Sequence, residues 1–403
     1  MLAPCRVKTE RGELSRYSVL IAVALFLSAA NLVFALRALD VVLRSQAKIE
    51  PREPQSELPS LSIIVPARNE ERNIARCVNS LLSTRHSNFE VFVVDDRSTD
   101  ATRSIVDAIA ERDPRLKVVA GEQLPDGWVG KPWALAQGAR FARGAWLLFT
   151  DADTEHEPLA ATSALQCALE NGYGVVSLLT DQQTIGLAER LLLPTILFVI
   201  MLGVGATDDV NDPRKPDVAI FNGQYILVSR VAYDAIGGHE AVRAEIAEDL
   251  ELACRFKRDG RFRIFLAGAG GLVRTRMYVS FAQIWQGFVK NFAIGARGRP
   301  CGAIAGTALL ACVSPISPIV VLVALVQRQW LAVAVLALSG AAIIAVAEFG
   351  MRRARFRPGS GLAVPLGLVV TLAIFATSLY CTFVGRGVEW RGRRYGGGLR
   401  RAR

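Results

Sequence analysis

The sequence predicts an α/β domain set between membrane-spanning helices, one at the N-terminal end and two or three at the C-terminal end. Three observations carry this. Long uncharged runs lie towards both ends, short β-branched runs alternate with amphipathic segments between them, and carboxylates recur where the strands of that middle region end. The boundaries fall at 1–45 for an N-terminal tail and helix, 46–58 for a linker, 59–298 for the α/β domain, 299–386 for a membrane block and 387–403 for a basic tail.

The chain has 403 residues and a net charge of +10, yet only 21% of its residues are charged and 51% are apolar. Basic and apolar together exclude a disordered basic tail protein and a disulfide-stapled miniprotein. Seven cysteines without a C-x-x-C pair write neither a zinc cluster nor a disulfide framework, and they point to free thiols in a reducing compartment. The charge is local. Residues 350–403 hold eleven arginines against Glu389 alone, so residues 1–349 balance. Each cation near an anionic leaflet is worth about 1 kcal/mol, so the excess belongs to the bilayer and gives no sign of nucleic acid.

Tyr17 to Leu36 carries no charge, and about twenty helical residues cross about 30 Å of hydrocarbon. Arg6, Lys8, Arg11 and Arg16 ahead of it also suit a secretory signal, but the run continues past Ser28-Ala29-Ala30 to Leu36. In the middle region Leu61 to Pro66 reads as a buried strand, and Asn69 to Leu82 as a helix capped by Asn69. Phe89 to Val94 is the next strand and ends in Asp95-Asp96. Asp100 to Arg112 is a helix, Leu116 to Ala120 a strand, Lys131 to Ala142 a helix, and Ala145 to Thr150 a strand ending in Asp151-Ala152-Asp153. Open α/β sheets bind ligands at such strand ends, beside a topological switch point. Leu191 to Gly205 is apolar but short and contains Pro194, which predicts a core or interfacial helix. Cys301 to Val326, Trp330 to Val346 and Gly361 to Val384 form the C-terminal membrane block, with Pro315, Pro318 and Pro365 as sites for kinks or re-entry.

Asp151-Ala152-Asp153 is the most informative tripeptide. Two carboxylates one residue apart in a turn converge on one hard divalent cation, which takes its other ligands from water and phosphate oxygens. That chemistry suits Mg²⁺ or Mn²⁺ held against a diphosphate.

Four motifs in one order, Ser62 to Glu70 (SIIVPARNE), Val93 to Asp100 (VVDDRSTD), Gly130-Lys131 with Ala134 to Gly138, and the Asp151-Ala152-Asp153 strand end, resemble the nucleotide-sugar half of family 2 glycosyltransferases. Phe221-Asn222-Gly223-Gln224, Gly237-Gly238 and Glu248 to Leu252 (EDLEL) are similar to the acceptor half, so the resemblance covers roughly residues 60 to 295. It implies a GT-A fold, a single mixed α/β sheet with a donor side and an acceptor side. It also implies roles. Asp95 and Asp96 would contact uracil and ribose, Pro66 and Ala67 would pass over the nucleoside, and Lys131 would lie near the diphosphate. Asp151 and Asp153 would hold the metal, Asp153 most directly, and Asp249 would be the base. Inverting displacement needs such a base, a carboxylate that takes the acceptor hydroxyl's proton opposite the leaving diphosphate.

Many membrane members of the family carry a Q/R-x-x-R-W motif after the base, and this chain does not. Arg276, Trp285, Lys290 and Asn291 are candidates for its purpose, and an amphipathic helix lying on the membrane is an equally good reading of that stretch. The segment, with Gly127 to Trp133 and Glu389 to Tyr395, is similar to glycosyltransferases associated with hopanoid or carotenoid lipids, and the chain also resembles ceramide-type enzymes. The resemblance implies a nucleotide-sugar donor, a UDP-hexose, and a membrane lipid acceptor. A polyprenyl-phosphate sugar transferase, a polysaccharide synthase and a non-catalytic envelope subunit are the alternatives. The expected location is a bacterial-type inner or plasma membrane with the domain in the cytoplasm, where nucleotide sugars are. Three full C-terminal spans would put the Arg-rich tail outside, against the positive-inside tendency. One C-terminal segment is therefore expected not to cross.

Overall fold

Seven short strands, rich in residues that branch at Cβ, form one mixed sheet in a computed structural model that describes residues 7–54, 57–295, 316–383, 388–390 and 393–395. The sheet is ordered β3 (Leu116–Ala120), β2 (Phe89–Asp95), β1 (Leu61–Ala67), β4 (Trp146–Phe149), β8 (Ile226–Ser229), β6 (Tyr173–Leu179), β9 (Arg263–Gly268). The first four run parallel, β8 runs antiparallel between β4 and β6, and β6 pairs parallel with β9. Successive strand residues point to opposite faces, and both faces are buried. Ile63 and Val65 pack with α2 (Ile74–Leu82), α3 (Thr102–Ala110) and α5 (Ala160–Asn171) on one side. Ile64 packs with α4 (Gly130–Phe141), α8 (Arg230–Ala235) and α9 (Glu248–Asp259) on the other. A second sheet of β5 (Thr154–His156), β10 (Val273–Thr275) and β7 (Asp181–Gln182) sits beside the strand ends.

The helix expected from Asn69 begins at Ile74 instead. Asn69 has a left-handed φ of 55°, and the next loop takes up the N–H groups a helix would have used. Ser98 Oγ accepts from Asn69 N (3.0 Å), Thr102 Oγ1 from Glu70 N (2.7 Å) and Asp100 Oδ2 from Glu71 N (3.1 Å). In return Asn69 Oδ1 accepts from Thr99 N (2.8 Å). The loops after β1 and β2 are thus one cross-linked unit.

Beyond the sheets, α1 (Val7–Leu43), α6 (Leu187–Val204), α12 (Trp330–Arg353) and α13 (Val364–Phe383) pack together, with α11 (Ile316–Val326) beside α1 and α12. Among the described residues four helices are long and apolar enough to cross a membrane: Val19–Leu43, Leu187–Val204, Trp330–Arg353 and Ser360–Cys381. Phe34, Ala38 and Val42 are buried in the same cluster as Phe198 and Ala347, so α1 is an integral part of the bundle. Residues 301–315 of the first C-terminal apolar stretch and most of the basic tail lie outside the described residues. Of that tail, β11 (Val388–Trp390) and β12 (Arg393–Tyr395) form a hairpin.

The sequence places Leu191 to Gly205 below spanning length, yet α6 has 18 residues. Both its ends nevertheless return to the domain. Before it, Gln183 N donates to Thr275 O (2.8 Å) beside the second sheet. After it, α7 (Thr207–Asn211) is fixed to β9 by Asn211 Nδ2 donating to Leu266 O (3.0 Å) and Leu266 N donating to Asn211 Oδ1 (2.6 Å). A spanning helix would have its ends on opposite sides of the bilayer. Helix α10 (Phe281–Gly295) packs Ile284 and Phe288 with Leu193 and Ile196 of α6.

Candidate active site

The ends of β2, β1 and β4 lie side by side, so Asp95-Asp96, Pro66-Ala67 and Asp151 line up over two strand spacings, about 10 Å. Because β8 runs antiparallel to β4, the Asn222-Gly223-Gln224 turn that precedes it arrives at the same edge as Asp151. Helix α4 begins at Gly130, which brings Lys131 to that edge, and α9 begins at Glu248, which brings Glu248 and Asp249.

Lys131 joins these elements. Its Nζ is 2.8 Å from Asp151 Oδ1 and 2.9 Å from Glu248 Oε1. Burial works against the ammonium charge, but Asp151, Glu248 and Asp249 outweigh it and hold Lys131 well above the usual lysine value. Asp249 Oδ2 accepts from Gly223 N (3.0 Å) and Oδ1 from Leu250 N (2.9 Å). Burial first, then the charge of Glu248, push the Asp249 carboxyl up to about 6, against the pull of Lys131 and these two N–H groups. A Cβ on Gly223 would lie 3.0 Å from both Asp249 Oδ2 and Lys131 Nζ, so a side chain there would press on both groups.

Pro66, Ala67, Asp96, Lys131, Asp151, Asp153 and Asp249 all line one cavity of about 790 Å³. Asp95 does not line it. It is buried, and its Oδ1 accepts from Ser98 N (3.1 Å), closing the turn after β2. Asp96 is also buried and is flanked by Arg68, whose Nη1 donates to Asp96 O (2.8 Å) and lies 3.9 Å from Asp96 Oδ2. Arg68 and Glu70, inside the SIIVPARNE motif, line the cavity although the sequence gives neither a role there, and Glu248, beside Asp249, holds Lys131. The four residues considered in place of the missing motif separate. Lys290 and Asn291 line the cavity and Trp285 does not. Arg276 is turned away to Glu189, with Nη2–Oε1 3.0 Å and Nε–Oε2 3.2 Å.

The cavity also has an apolar part, with Lys48, Glu50, Arg353 and Arg355 in the same lining. Val41 and Val42 of α1, Leu197, Phe198 and Met201 of α6, and Met351 of α12 line that part. Asp151 and Asp153 offer oxygen donors only, and the described residues hold no group of three His, Cys, Asp or Glu side chains placed to hold a metal unaided. Two carboxylates that leave the other positions to water and phosphate oxygens fit a hard divalent cation.

A mixed sheet with acidic turns at the switch between β1 and β4, and a carboxylate facing them from the start of α9, is the arrangement of a GT-A type fold. Residues 62–237 match the family described as Glycosyl transferase family 2. It is 27% identical over 240 residues to a 4,4'-diaponeurosporenoate glycosyltransferase of Staphylococcus haemolyticus, covering 59% of this chain and 62% of that protein. It is 33% identical over 134 residues to a beta-monoglucosyldiacylglycerol synthase of a Nostoc species, covering 33% of this chain and 28% of that one. The chain thus spans about three-fifths or less of the length of these curated relatives. A Pyrobaculum calidifontis mannosyltransferase, solved with GDP-Man and Mn²⁺, superposes with a TM-score of 0.57 at 22% identity, over 90% of this chain and 99% of that one. That likeness is one of fold.

Proposed function

We propose that the chain is an inverting, metal-dependent glycosyltransferase that moves a sugar from a nucleoside diphosphate donor, a UDP-hexose, to a hydroxyl of a membrane lipid. One observation carries the reading: a single cavity runs from Asp96, Asp151 and Asp249 to the apolar walls of α1, α6 and α12. The names of the two curated relatives, a diaponeurosporenoate glycosyltransferase and a glucosyldiacylglycerol synthase, are in keeping with such an acceptor.

In this reading Asp96, with Pro66 and Ala67, receives the nucleoside, and Lys131 stands beside the diphosphate. Asp151 and Asp153 would hold Mg²⁺ or Mn²⁺, which when bound supplies positive charge at the leaving diphosphate. The Asp249 carboxylate takes the proton of the acceptor hydroxyl as that oxygen bonds to the anomeric carbon and the bond to the diphosphate oxygen breaks. A pKa near 6 suits a base that works near neutral pH. The domain would face the cytoplasm of a bacterial-type inner membrane, and the lipid would come from the bilayer beside α6.

The test is to incubate membranes containing the chain with labelled UDP-sugars and Mn²⁺ and then extract the lipid. Asp249→Asn is expected to lower lipid labelling by about 10² to 10⁴-fold. Equal labelling by the variant and the unchanged protein would remove Asp249 from the role of base, and the absence of any nucleotide-sugar turnover would remove the enzymatic reading.

A further inference from the structure

Behind the Asp151–Asp153 turn lies a buried histidine that the reaction as described does not use. The ring of His156 is in the interior, with Nε2 3.0 Å from Thr150 Oγ1 and 3.0 Å from Thr154 Oγ1, and Nδ1 has no hydrogen-bond partner among the described residues. The two threonines face the active site from behind. Thr154 Oγ1 donates to Asp151 O (2.7 Å), and Thr150 Oγ1 donates to Gln224 O (2.8 Å).

The hydroxyl protons point to one tautomer. A carbonyl oxygen only accepts, so Thr150 gives its proton to Gln224 O and Thr154 gives its own to Asp151 O, which also takes the N–H of Thr154 (3.3 Å) and lies 3.6 Å from Cys77 Sγ. The two Oγ1 atoms, 3.0 Å apart, are then left with lone pairs towards each other and towards the imidazole. With those protons so placed, Nε2 is the donor shared between them, whereas a proton on Nδ1 would be buried without an acceptor among the described residues. Burial drives the pKa of His156 down to about 3, so the ring stays neutral and Nε2–H is its single donor.

We propose that His156 is a positioning residue, whose Nε2–H sets the two threonine hydroxyls and thereby fixes the Asp151–Asp153 turn against the Gly223–Gln224 turn. The first turn carries the carboxylates assigned to the diphosphate and metal. The second gives the N–H of Gly223 to Asp249. One imidazole thus holds the donor half and the acceptor half of the site in register. Its kinetic consequence rests on the glycosyltransferase reading, and its tautomer does not.

The experiment uses the full chain in lipid nanodiscs. His156→Gln places an amide N–H where Nε2 stands, and His156→Leu removes the donor. Partners behind metal-site ligands typically matter by about 10 to 100-fold. His156→Leu is therefore expected to lower kcat/KM for the UDP-sugar at least about tenfold, with the rise in KM for donor and Mn²⁺ exceeding the fall in kcat, while His156→Gln stays within about threefold of the unchanged protein. Full activity of His156→Leu would overturn the proposal. So would equal losses in the two variants when both melt as the unchanged protein does. A folding failure of His156→Leu leaves a second measurement, the nitrogen spectrum of ring-¹⁵N-histidine protein, which holds only three histidines. A neutral ring protonated at Nε2 from about pH 5 to 8 supports the proposal, and protonation at Nδ1 refutes it. An unchanged protein that turns over no UDP-sugar would sink the enzymatic reading and leave this spectrum to decide the tautomer.

Discussion

At the scale of single residues, the site is a balance of charge around Lys131. As the proposed base, Asp249 must be ionised to accept a proton, and its pKa is near 6. Plotted against pH, kcat/KM should therefore rise through about 6 and level off above it. Glu248 raises that pKa and Lys131 lowers it. Glu248→Gln should move the acid limb to lower pH and Lys131→Met to higher pH, and limbs that shift in the same direction would contradict this electrostatic account. Gly223→Ala adds a methyl 3.0 Å from both Lys131 Nζ and Asp249 Oδ2. It should cut turnover at least about tenfold with little change in melting temperature, and an active Gly223→Ala would show that the contact yields freely. The carboxylates were legible in the sequence because strand ends and D-x-D spacing are local features. The roles of Glu248, Gly223 and His156 were not, because each depends on chain segments that only the sheet order brings together. Asp95 and Asp96 show the limit most plainly. The sequence treats them as a pair, and the backbone turn spends Asp95 on Ser98 N while leaving Asp96 on the cavity wall.

At the scale of elements, α6 departs most from what hydropathy alone reads. Its composition is that of a spanning helix, and its attachments at both ends are those of a helix that belongs to the domain. Glu189 anchors the beginning. It is fully buried, accepts from Ile185 N (2.9 Å) and Gly186 N (3.0 Å), and pairs with Arg276. Removing one partner of a buried pair typically costs about 3 to 5 kcal/mol. Glu189→Ala should therefore lower stability by about 3 kcal/mol in denaturant titration, because it strands Arg276 and two N–H groups together. A cost under about 1 kcal/mol would mean that water reaches the pair. Most of the sheet was readable from alternating apolar runs. The late start of α2 was not, because the backbone N–H groups of Asn69, Glu70 and Glu71 find their acceptors in Ser98, Thr102 and Asp100 after β2.

At the scale of the whole molecule, α13 bears on the side reached by the C-terminal end. Val364 and Leu368 share a buried cluster with Phe198, Val199 and Leu202, whereas Ile374 shares one with Leu192, Leu193 and Ile196. Helix α13 therefore runs antiparallel along α6, and a Cβ on Gly367 would lie 2.4 Å from Thr195 Oγ1. Since both ends of α6 return to the domain, the end of α13 is directed back to the domain's side as well. Single cysteines in a background without the seven native ones should show this. Tyr395→Cys should be labelled from the same side as Ser360→Cys, and Arg328→Cys from the opposite side. Labelling of Tyr395→Cys with Arg328→Cys would refute the arrangement and put the arginines on the far side, against the positive-inside tendency.

Because α6 is fixed to the domain at both ends, its apolar residues and Asp249 keep a set separation along one cavity. As the proposed base at a fixed height, Asp249 would select among amphiphiles by how far the reacting oxygen stands above the hydrocarbon. A hydroxyl held too deep fails to reach, whatever the rest of the molecule looks like. Selection of this kind would depend on the depth of the acceptor's oxygen in its own membrane more than on side chains that grip its body.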